Sequence, residues 1–148
     1  MRISSKGRYG LAASIVMAQN YASGSYMTVV SLSEQLGISK IYLEQVFSLL
    51  KKAELVRSVK GAQGGYRLAR PPQEISAMEV LTALEQSLFE KTEKSVEKKA
   101  SEIESAMQDA VFSEIDRAVS AAITGVSLYA LAAKAEEYRK SESYMFYI

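Results

Sequence analysis

Ser39, Lys40, Ile41, Tyr42, Glu44, Gln45 and Ser48 stand within ten residues of one another, and Lys51 and Lys52 follow at once. Read as one face of a helix, they carry the chemistry of base edges. Gln45 could make a paired hydrogen bond with adenine, Glu44 could accept from a cytosine amine, and Ile41 could touch a thymine methyl. Lys51, Lys52, Arg57, Lys60 and Arg67 would neutralise phosphates. The stretch Lys60-Gly61-Ala62-Gln63-Gly64-Gly65 would let backbone approach a ligand closely. Taken singly, each of these residues is ordinary solvated surface. It is the combination, with its order along the chain, that points to nucleic acid.

Other chemistry is scarce. The 148 residues contain no cysteine and no histidine, so disulfides, thiolate metal sites and the commonest general base are all missing. No pair of carboxylates stands in a cleft-like pattern and no nucleophile has a base beside it, so an enzyme is not expected. No metal or cofactor site is expected either. The N-terminus MRISSKGRYG is charged, without the apolar run of a signal peptide, and no stretch is long enough for a membrane span. The expected location is the cytoplasm.

The net charge of +1 conceals a division. Residues 1 to 72 hold 10 Lys and Arg against 3 Glu, a local +7, while residues 73 to 148 hold 8 against 14, a local −6. Seven of the 8 glycines lie at or before Gly65, and both prolines are at 71 and 72. The first half therefore holds the turns and the cationic surface, and the second is expected to be mostly helix.

The elements that would position the candidate residues follow from periodicity. After Ser4 and Ser5, the positions Tyr9, Leu11, Ala12, Ile15, Val16 and Ala18 predict an amphipathic helix to about Asn20. Tyr26 to Val30 reads as a short strand. Ser31 with Glu34 forms a capping box for a second helix, with Leu32 and Leu36 inward and Gly37 as its stop. Ser39 caps a third helix whose inward stripe is Leu43, Val46, Phe47 and Leu50, ending near Ala53. Leu55 to Val59 and Tyr66 to Ala69 predict a glycine-rich hairpin, and Ser76 with Glu79 caps a fourth helix through Val80, Leu81 and Leu84. Leu88 to Glu102 alternates Glu and Lys, as a solvated helix face or loop would.

A stripe then recurs every four residues at Ile103, Met107, Val111, Ile115, Val119 and Ile123. As one helix from Ser101 to Ile123 it would span about 35 Å at ~1.5 Å per residue, more than the small N-terminal core could cover. Ser127 caps a last helix to about Tyr138, and Ser141 to Ile148 is left as an apolar tail ending in Phe146, Tyr147 and Ile148. The order helix, strand, helix, Gly turn, helix, hairpin predicts a mainly α fold, a winged helix-turn-helix followed by a long C-terminal helix. The expected organisation is a DNA-binding domain over 1–86, a linker with the long helix and the final helix over 87–140, and the tail over 141–148.

The motifs RISSKGRYGL, ISKIYLEQ and LVRSVKGAQGGYRLARPP resemble the bacterial winged-helix regulator family of IscR, NsrR and CymR. The resemblance covers the whole chain and is strongest over residues 2 to 86. It implies a transcription regulator acting as a homodimer on palindromic double-stranded DNA, with the 103 to 123 stripe as the dimer interface. It implies that Glu44 and Gln45 lie on the base-reading helix and that Lys60 enters the minor groove. Arg2, Ser5 and Lys6 of the first motif, and Gly61, Gly64, Gly65 and Tyr66 of the wing, are further candidate DNA contacts. Two departures bear on specificity. Many members carry Arg where this chain has Lys60, and Ile41 occupies a position that is polar in some relatives.

Cluster-binding members carry three cysteines between the fourth helix and the dimer helix, where Leu88 to Glu102 has none. An iron–sulfur cluster is therefore not expected. The wing GAQGGY and the missing cysteines make the chain most similar to the cluster-free branch of CymR. That resemblance implies a repressor of cysteine and sulfur metabolism that works through a complex with cysteine synthase. The terminal Ile148 carboxylate beside apolar side chains suits capture by a partner's pocket, so Phe146, Tyr147 and Ile148 are its candidate contacts. The other reading is a protein-interaction adaptor that uses the winged fold and tail to hold a partner enzyme. Charge reversal at Lys51, Lys52 and Lys60 would leave such an adaptor working.

Overall fold

The computed structural model describes residues 2–61 and 64–146. Helix α1, Ser5–Gln19, begins where the Ser4 hydroxyl accepts the Gly7 N–H. Its buried face is Gly7, Gly10, Ala13, Ser14, Val16 and Met17, which shares only Val16 with the stripe expected from its larger residues. The reason is close approach. A Cβ at Gly10 would run into Leu84 and one at Gly7 into the Glu85 carboxylate, so the small residues decide which face the fourth helix can meet. Tyr9, Leu11 and Ala18 pack as partly buried flanks.

Tyr26 to Val30 does not form the expected strand. Met27 alone pairs with Tyr66, with both backbone hydrogen bonds at 2.8 Å. At Thr28 the hydroxyl accepts the Ser31 N–H at 3.0 Å and caps α2, Val29–Leu36, three residues before the predicted Ser31 cap. The Ser31–Glu34 box is therefore replaced by Thr28. Gly37 ends α2 at φ 66°. Helix α3, Lys40–Lys52, is capped by Ser39 and buries Leu43, Val46, Phe47 and Leu50, as its spacing predicts.

Strands β1, Val56–Val59, and β2, Gly65–Leu68, pair antiparallel with Val56 opposite Leu68 and Arg57 opposite Arg67. Helix α4, Ala77–Leu84, carries the predicted capping box: Ser76 Oγ accepts the Glu79 N–H at 3.1 Å and Glu79 accepts the Ser76 N–H at 2.9 Å.

After a linker the chain enters α5, Ser101–Met107, then a wider π turn, Gln108–Phe112, then α6, Ser113–Thr124. The predicted long helix is present but is interrupted at its middle by that turn. Ser127 caps α7, Leu128–Phe146, accepting the Ala130 N–H at 3.0 Å. This helix does not stop near Tyr138. Pairs three residues apart, Lys134 with Glu137 and Arg139 with Glu136, support its surface, and no Gly or Pro interrupts it. Residues 141 to 146 are thus helix rather than a separate tail; Tyr147 and Ile148 lie outside the described residues.

The start of α7 is tied to α4, with Ala77 N–H on the Val126 carbonyl at 2.8 Å and Leu128 N–H on the Ile75 carbonyl at 2.9 Å. Leu128 is buried in one core with Leu32, Leu43, Phe47, Leu50, Ile75 and Val80. Among the described residues no helix is long and apolar enough to cross a membrane.

Candidate nucleic-acid interface

Two helices meeting at a Gly-ended turn present α3 to solvent along one side. At Gly37 an L side chain would be strained, and Ser33 Oγ donates to the Ile38 carbonyl at 2.6 Å to close the turn. With its apolar stripe at full burial, α3 has one orientation available. That orientation leaves Ile41 72% exposed, with Glu44, Gln45 and Ser48 also outward. These four residues and Leu49 line a shallow open depression. Lys40 lies 3.9 Å from Glu44, so the carboxylate is held along the helix beside Gln45. Lys51 and Lys52 are exposed in the last turn, where cations are favoured by the helix dipole and can reach phosphates.

Not every candidate residue faces outward. Tyr42 turns in and meets the Tyr9 ring edge-on, with centroids 5.0 Å apart. Tyr66 stacks on Phe47 at 4.6 Å. Both anchor α3 and the hairpin from beneath. Ser39 is exposed, and its hydroxyl accepts the Tyr42 N–H at 3.2 Å. Arg67 is half-buried, with its guanidinium 5.6 Å from the Tyr21 ring and 5.7 Å from that of Tyr26. The two rings hold it to the connection between α1 and α2, whereas Arg57 on the neighbouring strand stays exposed. Tyr21 and Tyr26 were not singled out from the sequence. The available signal was an aromatic residue on each side of the Gly24 turn.

In the wing, Lys60 and Gly61 are exposed at the tip, and Ala62 and Gln63 lie outside the described residues. Gly61 has φ 119° with open space around it, which suits close approach. Gly64 and Gly65 answer to packing within the chain: a Cβ at Gly64 would collide with the Val59 carbonyl of the wing, and one at Gly65 with the carbonyl of Met27, which pairs with Tyr66. At the N-terminus Arg2 is exposed, and Ser5 and Lys6 are half-buried at the start of α1. Buried Glu85 accepts the Ser4 N–H at 2.7 Å, a carboxylate at a helix N-terminus. It sets the arm against α4, a role not read from the sequence.

The stripe on α5 and α6 contrasts with that on α3. Ile103, Val111 and Ile115 are 54%, 47% and 52% exposed, and Met107, Val119 and Ile123 are half-buried. The Glu79 and Glu104 carboxylates are both held below the usual range. For Glu79, burial acts upward but is outweighed by the Ser76 N–H and the Arg70 guanidinium, which lies 2.6 Å away. For Glu104, the Val96 and Ser95 N–H groups stabilise the charged form.

The sequence pattern of the Rrf2 family, described as iron-dependent transcriptional regulator, matches residues 3–134. The chain belongs to the Rrf2 family. It has the winged-helix fold of that family, whose description is that of transcriptional regulators. It is 44% identical over 88 residues to the HTH-type transcriptional regulator IscR of Aliivibrio salmonicida, across 60% of this chain and 52% of the relative. The IscR of Escherichia coli gives 43% over 88 residues, across 54% of its length. The chain thus spans about half the length of the curated relatives it matches.

Among solved structures it is similar to CymR, the global cysteine regulator of B. subtilis, with a TM-score of 0.75 and 30% identity over 90% of this chain and 98% of that one. T. potens IscR gives 0.74 and 34% over 99% and 96%.

Iron in the family description raises the question of ligands. The linker that joins α4 to α5 offers Ser, Thr, Lys and Glu, the chain has no thiolate or imidazole, and Glu104 is already occupied by backbone N–H groups. Among the described residues no three His, Cys, Asp or Glu side chains gather as a metal site. The residues present do not fit an iron–sulfur cluster.

Proposed function

We propose that this Rrf2 protein is a homodimeric repressor that reads palindromic operators through Ile41, Glu44 and Gln45 on α3 and through Lys60 and Gly61 at the wing. The observation that carries the reading is the pairing of two exposed faces on one chain. A polar face on α3 is held outward by a fully buried stripe, and an apolar stripe on α5 and α6 stays about half exposed at Ile103, Val111 and Ile115, covered only in part by Met78, Leu88 and Phe89 near Ile115 and Val119. A second copy supplies the cover, and its two-fold symmetry supplies the palindrome. Arg2, Ser5, Lys6, Lys51, Lys52 and Arg57 make the phosphate contacts.

The test is retention of a palindromic fragment selected from a random pool. Binding should weaken steeply with salt, and Gln45→Ala should lose about 1–3 kcal/mol of discrimination at one base pair per half-site. Binding indifferent to both salt and sequence overturns it.

The target genes we propose are those of cysteine and sulfur metabolism, with cysteine synthase as a protein corepressor held through Phe146, Tyr147 and Ile148. Likeness to the B. subtilis cysteine regulator over nine-tenths of the chain supports this, as does a sequence without cluster ligands. Deleting Tyr147 and Ile148 should abolish capture of purified cysteine synthase while DNA affinity persists. Unchanged capture refutes it.

A further inference from the structure

The linker between α4 and α5 has neither helix nor strand, yet it is held at both ends. Near its start, Leu88, Phe89 and Lys91 line a recess with Met78 of α4 and with Ile115 and Val119 of α6. Near its end stands Glu104, in the first turn of α5 and only 2% exposed. Its carboxylate accepts the Ser95 N–H at 2.9 Å and the Val96 N–H at 2.7 Å. The Gln108 amide donates to it at 3.2 Å and lies 3.4 Å from the Thr92 carbonyl. The Val96 carbonyl in turn accepts from Lys99 and Ala100 and leads the chain into α5. A carboxylate so buried requires these donors.

We propose that Glu104 is a positioning residue for operator recognition: by clasping the linker to the long helix it sets how far apart the two reading helices of a dimer stand. This rests on the dimeric, palindrome-reading function proposed above. The linker holds no cysteine and is organised by one carboxylate and two backbone amides, so the spacing of the reading heads is independent of iron. The chemistry is complementary, since a buried anion fixes the same segment by charge-assisted hydrogen bonds that need no metal and no redox partner.

The experiment uses the full chain and the wild-type-selected palindrome, with the distance between half-sites altered by one and two base pairs. Glu104→Gln, Glu104→Ala and the milder Gln108→Ala are compared, with circular dichroism and sedimentation as controls for fold and dimer. In wild type, the Ser95 and Val96 amides should be protected from hydrogen exchange and the altered spacings bound poorly. In both Glu104 variants those amides should exchange faster, and the preference for native spacing should fall about tenfold, the worth of one charge-assisted bond. Gln108→Ala should fall between. Ferrous iron or a chelator should leave wild-type binding unchanged.

Folded, dimeric Glu104 variants that keep wild-type spacing preference overturn the proposal, as does any effect of iron on it. A wild-type chain that selects no palindrome removes the DNA reading itself, and this role for Glu104 with it, while the amide protection stands apart as a separate result.

Discussion

Helix α3 and the α5–α6 helix carry apolar stripes of similar strength, and the structure treats them in opposite ways. In α3, Leu43, Val46, Phe47 and Leu50 are wholly buried within the chain. In α5 and α6, Ile103, Val111 and Ile115 remain about half exposed and Glu104 is the one side chain counted as buried. The first stripe orients a polar face, so its opposite side is the functional one. The second is covered only in part by its own chain, at Ile115 and Val119, and on the proposed reading the stripe is itself the functional surface.

Cutting the first stripe should have the largest effect. Phe47→Ala removes a buried ring on which Tyr66 stacks, 4.6 Å away, and loosens α3 and the wing together. A loss of about 3–5 kcal/mol is expected, read as a lower urea midpoint. The matching change in the second stripe, Ile115→Asp, should leave that midpoint almost unmoved in a monomer, because the side chain is already half in water. It should convert the dimer to monomer by sedimentation and weaken operator binding by about a hundredfold, as one half-site stops helping the other. If Ile115→Asp unfolds the chain instead, the difference between the stripes is not one of function.

How much of this was legible in the sequence depends on where each residue's partner lies. The stripe of α3 and the capping box at Ser76 and Glu79 were readable because their logic is local. The face of α1 was misread, since Gly7 and Gly10 are selected by α4 and Glu85, some 75 residues away. The strand over 26–30 was misread because the Thr28 hydroxyl reaches Ser31 first and turns the chain into a helix. At the candidate interface, Gln45, Glu44 and Ile41 were correctly placed on the outward face because a buried stripe determines its own opposite. Tyr42, Tyr66 and Arg67 look like DNA-contacting residues in sequence, but their ring partners Tyr9, Phe47, Tyr21 and Tyr26 come from other elements. No spacing rule within one element reveals a stack made between two.

Arg57 and Arg67 extend the comparison to the wing, where cross-strand neighbours of one type have different surroundings. Arg67→Ala removes the cation held between Tyr21 and Tyr26 and should cost about 1–2 kcal/mol of stability, with little change in the salt dependence of DNA binding. Arg57→Ala should do the reverse, leaving the midpoint in place and flattening the salt slope by about one. Equal effects on both measurements would erase the distinction between the two arginines.

The smallest effect concerns how the two helices of the reading motif end. Gly37 closes α2 at φ 66°, and Glu54 follows α3 at φ 61°. Behind Glu54 the chain closes in the Schellman manner, with Leu55 N–H on the Leu50 carbonyl at 3.0 Å. Only the first position has the residue type that accepts this conformation without strain. Gly37→Ala should therefore destabilise by roughly 1 kcal/mol, while Glu54→Gly should stabilise by roughly 0.5–1 kcal/mol, the relief of strain exceeding the added freedom of the unfolded chain. Paired urea titrations give the sign directly. Should Glu54→Gly lower the midpoint, the Glu54 side chain makes a contribution larger than the strain it imposes, and the ends of α2 and α3 differ in more than backbone conformation.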